Sequence, residues 1–377
     1  MKTDGNLLLV SNYPSDTAYA WWLMEHFWCL LADAYKDRGY NVYLAYPKLT
    51  GEIKSELTSR MDVVELDIFG SDSQKSKDFI REHSIKTVYL TDRPFFSITY
   101  FWWRLLGVKK ILVHDHTPGD RPAVGGIKGQ VKAFINKLSL FTADAQLSVS
   151  PLMKTRSIEN GRVPASKVFV VQNGIPTDVA DDDRAANREE IRRELNIPSD
   201  AVVVITTGRA HPYKRPDFVM EAAAHYIKSS SRRVIFLLVG DGPGFADLER
   251  LHAKLGLSDH FRLLGYRNDV PKLLAASDIA IHAALGEGFS LSILEYMIAG
   301  LSVLVPDIPS VKQAIEHDVS GFVYDWDDKE SLSGYISELA SDPKLRKRLG
   351  EQGENTVVAS FSLDNCSEEF ISALDSI

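Results

Sequence analysis

Residues 201–215 read Ala-Val-Val-Val-Ile-Thr-Thr-Gly-Arg-Ala-His-Pro-Tyr-Lys-Arg. The first seven are short in span and almost wholly apolar or β-branched, the pattern of a strand covered on both faces in a parallel sheet. Gly208 ends the run, and a glycine there permits positive φ and lets backbone approach a ligand. Arg209 and Lys214 follow in a turn-rich loop. Arg offers a planar fork and Lys a point charge, so the pair suits an anion that bridges them, with a diphosphate as the natural candidate. A solvated loop has the same composition.

The same strand signal recurs outward in both directions. Upstream, strands are expected at Asn6–Ser11, Asn41–Ala45, Asp62–Leu66, Thr87–Thr91, Lys110–His114, Ala145–Val149 and Val168–Val171. Downstream they are expected at Arg233–Gly240, Phe261–Leu264, Ile279–Ala283 and Ser302–Pro306. Longer amphipathic segments separate them, so the fold class is α/β, built of βαβ units. Between the halves, residues 178–200 are highly charged, with Arg188–Leu195 expected as a surface helix. We therefore expect two doubly wound parallel-sheet domains, residues 1–179 and 180–362. Ligands of such sheets bind outside the carboxyl ends of the strands, which places functional residues in the following loops.

Composition narrows the classes. The 377-residue chain carries 43 Lys plus Arg against 51 Asp plus Glu, a net charge of −8, which disfavours a phosphate-dominated nucleic-acid binder. Apolar residues at 45% and charged residues at 25% are ordinary globular values and exclude a disordered chain. Cys29 and Cys366 are far apart, without a CxxC pattern, so neither a disulfide framework nor a cysteine zinc site is expected. A reducing, cytoplasmic compartment fits this, as does an N-terminus without the pattern of a signal peptide. No uncharged apolar run reaches about 18 residues, so membrane contact would be peripheral.

Two further loops stand out. Gly240-Asp241-Gly242-Pro243-Gly244 follows a strand and precedes a helix, a turn that lets backbone approach a ligand or simply connects two elements. In Gly286-Glu287-Gly288-Phe289-Ser290-Leu291, Glu287 lies between two glycines on a loop, and helix-forming residues begin at Ser290, with Glu295 beyond. The amides of that first turn make an anion site, and the two carboxylates suit sugar or ribose hydroxyls. Each glutamate alone also reads as an ordinary loop or helix charge.

Taken together, these elements resemble the C-terminal half of the retaining glycosyltransferases of family 4, which have the GT-B fold of two Rossmann-like domains. The resemblance runs from about Arg188 to Val323 and includes the family's glutamate pair spaced eight apart, Glu287 and Glu295. It implies a nucleotide-diphosphate sugar as donor, UDP- or GDP-linked, a glycan or lipid-linked acceptor held by the N-terminal domain, and a C-terminal helix, 363–377, that crosses back to the N-terminal domain. Arg209 and Lys214 would grip the diphosphate, Glu295 the ribose and Glu287 the transferred sugar, with the Ser290 and Leu291 amides on the distal phosphate. Gly208, Gly240, Asp241, Gly288 and Phe289 complete the implied donor site, and Arg267 and Asn268 lie where the family receives the base. No metal or other cofactor is implied.

The N-terminal half resembles the family more loosely, in residues 149–178 and above all in Asn173-Gly174-Ile175. Where the family often has a glycine pair after the first strand, this chain reads Ser11-Asn12-Tyr13-Pro14-Ser15-Asp16-Thr17-Ala18-Tyr19. A histidine facing the sugar is implied after strand Lys110–His114. Either His116 or His114 fits, and His116 is preferred because His114 still belongs to the strand. Asp181-Asp182-Asp183 matches the DxD pattern of metal-dependent sugar transferases of the other major fold, but no strand precedes it, and His114 and His116 lack further ligands.

Five of the six tryptophans, Trp21, Trp22, Trp28, Trp102 and Trp103, fall in the N-terminal half. They read as core, as sugar-stacking surfaces or as seats at a lipid interface. Residues Ile127–Leu140 combine apolar positions with Lys128, Lys132 and Lys137, so this segment and the N-terminal aromatics are expected to touch anionic membrane. The resemblance implies retention of anomeric configuration and a place in cell-envelope or exopolysaccharide synthesis at the inner membrane face. Two other readings use the same architecture: a nucleotide-sugar 2-epimerase, and a catalytically silent sugar-nucleotide-binding partner.

Overall fold

The computed structural model of the chain describes residues 5–16, 21–70, 73–119, 121–178, 181–230 and 232–377, with positions 73, 181 and 182 described by backbone alone. The chain divides into two compact units, Met1–Asn173 with Asp364–Ile377, and Gly174–Leu363. The boundary expected at residue 179 lies outside the described residues.

The first unit contains β1 (Asn6–Val10), β2 (Val42–Tyr46), β3 (Asp62–Glu65), β4 (Ile85–Thr91), β5 (Lys110–Asp115), β6 (Ala145–Ser148) and β7 (Val168–Val170). They form one sheet in the order β3-β2-β1-β4-β5-β6-β7, and every pairing is parallel. The central strands β1 and β2 are nearly continuous in apolar, buried residues, as expected where both faces are covered, whereas the edge strand β3, Asp-Val-Val-Glu, is not. Leu8, Val88 and Ile111, from three adjacent strands, are fully buried in one core that also takes Trp103 and Tyr100. The C-terminal helix Leu363–Ser376 belongs to this packing through Phe370, whose ring lies 4.6 Å from that of Phe27.

The second unit contains β8 (Val202–Thr207), β9 (Val234–Val239), β10 (Phe261–Leu263), β11 (Ile279–Ile281), β12 (Ser302–Pro306) and β13 (Gly321–Tyr324). Their order is β10-β9-β8-β11-β12-β13, again parallel throughout. In each sheet the strand order reverses beside the first strand, between β1 and β4 and between β8 and β11. Those are the switch points where the loops diverge and a crevice opens.

All twelve expected strands form, with ends shifted by a residue or two. The thirteenth, β13, was not expected, because GFVY is a very short run in a segment rich in charge and turn residues.

The charged segment after residue 178 also departs from expectation. It forms a helix from Asp181 to Glu194, starting seven residues earlier than Arg188. The residues that made it look like a solvated surface are its attachment. Arg188 donates to Asp278 at 2.7 Å and Arg192 to the same carboxylate at 2.9 Å. Both guanidiniums also donate to carbonyls at 275–277, and Ile191 is fully buried beneath them. The Asp181-Asp182-Asp183 run thus opens a helix, and the side chains of its first two residues lie outside the described set.

The aromatic expectation is corrected in part. Trp28 and Trp103 are fully buried, so neither seats at an interface, and Trp21 and Trp22 are half-buried. Trp102 is exposed. Cys29 and Cys366 are both buried, and neither is in a disulfide.

Candidate donor site

The second unit's site begins where β8 ends. Gly208 has φ +148°, and its amide donates to the Val239 carbonyl at 2.9 Å. Gly240, at the end of the neighbouring β9, has φ +139°, and a Cβ there would meet the Gly208 carbonyl oxygen at 1.9 Å. No side chain fits, so the two loops close on each other through backbone alone. Ala210 then donates to Asp241 and accepts from Gly244, which fastens the loop of Arg209 to the loop of Asp241.

A short 3-10 turn, Pro212–Lys214, carries Lys214 back over the sheet. The turn is held at both ends: Lys214 donates its amide to His211, and Leu285 donates to the Tyr213 carbonyl at 2.8 Å. That second bond joins the loop after β8 to the loop after β11, across the switch point. Lys214 Nζ consequently lies 2.5 Å from Glu287 Oε1. His282, at the end of β11, brings Nε2 to 3.0 Å of the same oxygen. Gln313 supports the loop by donating to the carbonyls of Gly288 and Ser310 at 2.9 and 2.8 Å.

Electrostatics follow from this packing. Burial pushes the Glu287 carboxyl upward, but the His282 hydrogen bond and the Lys214 charge outweigh it and hold its pKa at about 2. Burial pushes His282 down, against the Glu287 hydrogen bond, so the imidazole is neutral near pH 7 and donates its Nε2 proton. Glu287 is a fixed anion.

Ser290 and Leu291 stand at the start of helix Leu291–Ile298, where no side chain caps the first amides. Those amides and the positive helix end form an anion site beside Glu287. Glu295 is half-buried one turn further on, and burial raises its pKa. Its carboxylate makes no hydrogen bond or ion pair among the described residues. Tyr296, next to it, is fixed by Thr207, whose amide and hydroxyl both lie 2.8 Å from the phenol oxygen.

Sequence placed these groups in one site, and the structure gathers Gly208, Lys214, Gly240, Asp241 and Glu287 at the carboxyl ends of β8, β9 and β11. Arg209 is exposed on the same loop, and Phe289 is buried with its ring 5.2 Å from Phe361. Asn268 is exposed in the loop after β10. The Arg267 guanidinium, in the same loop, bonds Asp269 at 2.6 Å and Glu194 at 2.8 Å, an arrangement that braces helix Asp181–Glu194. His282 and Gln313 were missed. For His282 a signal existed, a lone histidine closing an apolar strand five residues before Glu287.

In the first unit, His114 is the penultimate residue of β5 and fully buried, with Nδ1 2.6 Å from the Tyr89 hydroxyl. His116 lies just past the strand. Its amide donates to Asp92 at 2.6 Å, and its ring stands 4.2 Å from that of His114. Burial lowers the pKa of both imidazoles, that of His116 against the pull of Asp92 and Asp115. Both His116 ring nitrogens are buried without a hydrogen-bond partner among the described residues. Asp92, at φ +53°, has its own carboxyl pushed up by burial, with His116 opposing. Among the described residues, no three His, Cys, Asp or Glu side chains gather as a metal site, and no helix is long and apolar enough to cross a membrane.

Comparison with known proteins addresses the same two units. The family model described as Glycosyl transferases group 1 matches residues 187–356, and that of Glycosyltransferase Family 4 matches residues 24–179. A UDP-Gal:alpha-D-GlcNAc-diphosphoundecaprenol alpha-1,3-galactosyltransferase of Escherichia coli is 28% identical over 204 residues, 53% of this chain and 52% of that protein. An N-acetyl-alpha-D-glucosaminyl L-malate synthase of Bacillus anthracis is 26% identical, over 50% of this chain and 48% of that one. The chain thus spans about half the length of the curated relatives it matches.

Among solved structures, a glycosyltransferase from Rickettsia africae matches with TM-score 0.77 at 20% identity, covering 99% of each chain. Anabaena Alr3699/HepE in complex with UDP matches with TM-score 0.76 at 19% identity, covering 99% of this chain and 100% of that one. At these identities the likeness speaks for the fold. Two family models matched in chain order, on two parallel sheets of GT-B type, establish that the chain belongs to glycosyltransferase family 4.

Proposed function

We propose that the protein moves a glycosyl group from a nucleoside-diphosphate sugar to a glycan or lipid-linked acceptor, with retention of configuration. The observation that carries this reading is the Lys214–Glu287–His282 cluster beside the uncapped start of helix Leu291–Ile298, in a chain of family 4. Two neighbouring structures support it, those of HepE in complex with UDP and with UDP-glucose.

In this reading the departing diphosphate collects negative charge between Lys214, Arg209 and the Ser290 and Leu291 amides. Fixed donors aimed at developing charge lower the barrier without reorganising during the reaction. Phosphate takes over part of the Lys214 ammonium now held by Glu287, and Glu287 turns to the sugar hydroxyls. Glu295, half-buried with no partner, receives the ribose hydroxyls. The acceptor's proton passes to the leaving phosphate, so no separate strong base is needed. His116, with His114 as the alternative, contributes an imidazole to the transfer step. The reaction needs no metal, and the acceptor belongs to cell-envelope or exopolysaccharide synthesis on the inner membrane face; one relative is named for a lipid-linked acceptor, a GlcNAc-diphosphoundecaprenol.

The test is a thermal-shift screen of the purified protein against UDP, GDP, ADP, CMP and dTDP and their sugar conjugates, with and without divalent metal. Donor consumption is then followed with and without candidate acceptors. A selective rise for one diphosphate series, by mass action on the folded state, together with donor turnover, is the expected result. No shift and no turnover with any of them would overturn the reading.

A further inference from the structure

The first unit carries an exposed apolar surface that its core does not use. On helix Gly126–Ile135, Ile127, Val131 and Phe134 share one face at spacings of four and three, and they are 80%, 51% and 66% exposed. Leu138 and Leu140 extend the surface past the helix end. A second helix, Ile98–Leu105, presents Ile98, Trp102 and Leu105, also exposed. The two patches are joined: Ser97 donates its amide to the Phe141 carbonyl at 2.9 Å, and the Phe101 and Phe141 rings stack at 5.1 Å. They belong to one surface built from two elements.

The charges around it are mainly cationic, and the carboxylate of Asp144, just past Ala143, is paired with Arg104 at 3.0 Å. From Arg121 to Ala143 the sequence has four cations and no carboxylate, in a chain whose net charge is −8. Lys128 and Lys137 are exposed among the apolar positions. Lys132 sits close enough to Arg121 and Arg162 that burial and these two cations lower its pKa. On the other helix, no carboxylate occurs from Arg93 to His114, and the Lys77 ammonium lies 5.3 Å from the centre of the Trp102 ring.

We propose that this surface docks the first unit on an anionic lipid bilayer. A protein partner would meet an interface core depleted of lysine, whereas here lysines interleave with large apolar side chains. Lysine stems lie along apolar surface while their ammonium groups reach phosphate headgroups, and tryptophan seats at the same depth. Apolar insertion and cationic attraction together set the affinity. The inference stands apart from the donor-site reading, because none of these residues belongs to that site.

Flotation of the full-length protein with vesicles of phosphatidylcholine alone, and with phosphatidylglycerol added, tests it. We expect co-flotation with the anionic vesicles only, weakening as salt is raised. Lys128→Glu with Lys137→Glu should weaken partitioning about thirtyfold or more, since each lysine near such a surface contributes roughly fivefold. Ile127→Asp with Phe134→Asp should abolish it, and the lysine pair keeps the test decisive should the apolar pair fail to fold. Absent flotation of the wild type, or equal flotation of wild type and both variants, would overturn the proposal. So would a concentration-dependent dimer that the same substitutions dissolve, since a second copy would then be the occupant.

Discussion

Lys214 and Glu287, 73 residues apart in sequence, form an ion pair at 2.5 Å across the point where the second sheet reverses its strand order. The pair is largely shielded from solvent, with 18% and 11% of the two side chains exposed. Its partners are also the two groups proposed to bind the ends of the donor's reacting bond, phosphate on one side and sugar on the other.

Replacing Lys214 with alanine should lower turnover by about a hundredfold or more, the scale observed when a fixed donor to developing negative charge is lost. Steady-state donor consumption measures this. Rates like those of the wild type would remove Lys214 from the diphosphate.

Acid stability should depend on Glu287. Its folded-state pKa of about 2 lies below the ordinary glutamate value. The unfolded chain therefore binds its proton first as pH falls, and the stability it contributes is complete above about pH 4.5 and lost as pH drops toward 2. Glu287→Gln should flatten this limb in thermal melts recorded against pH. An unchanged profile would mean that His282 and Lys214 do not stabilise the carboxylate.

Glu295→Ala should leave the unfolding temperature unchanged or slightly raised, because the carboxylate removed is half-buried and unpaired. Donor affinity, read by calorimetry, should fall by about tenfold to a hundredfold, as for a hydrogen bond to a charged group. Loss of stability with donor affinity retained would assign Glu295 to the fold.

Gly240→Ala places a methyl group in the Gly208 carbonyl at a φ that side chains rarely adopt. Both loops must separate, at a cost of order 1–3 kcal/mol for the backbone alone. We expect a lower melting temperature and a lost nucleotide-induced shift, measured in the same assay. A normal shift would show that the closed arrangement of these loops is not needed for binding.

The two histidines should separate by assay. His114→Ala removes a buried ring bonded to Tyr89 and should destabilise the first unit by about 1–3 kcal/mol in denaturant melts. His116→Ala should leave stability within about 1 kcal/mol, since its ring nitrogens make no hydrogen bond among the described residues and Nδ1 stands 3.8 Å from Asp92, and should lower transfer. Unaltered transfer in both variants would remove the histidines from the reaction.

Local chemistry alone was enough for much of this protein. Continuous runs of Val, Ile and Leu between glycines specified twelve strands and the α/β class, because a strand covered on both faces needs nothing beyond its own composition to be recognised. Gly208, Gly240, Glu287 and Ser290 were legible for a related reason: backbone approach, loop placement and helix starts depend on residues close in sequence. Tertiary structure decided which charges meet. The Arg267 guanidinium meets Glu194 and Asp269, and Arg188 and Arg192 read as solvated until Asp278 bound them both. His282 became part of the site only when β11 aimed it at Glu287. Coulombic partners and burial are set by distance in space, and the spacing of residues along a chain does not encode that distance once helices and crossovers intervene.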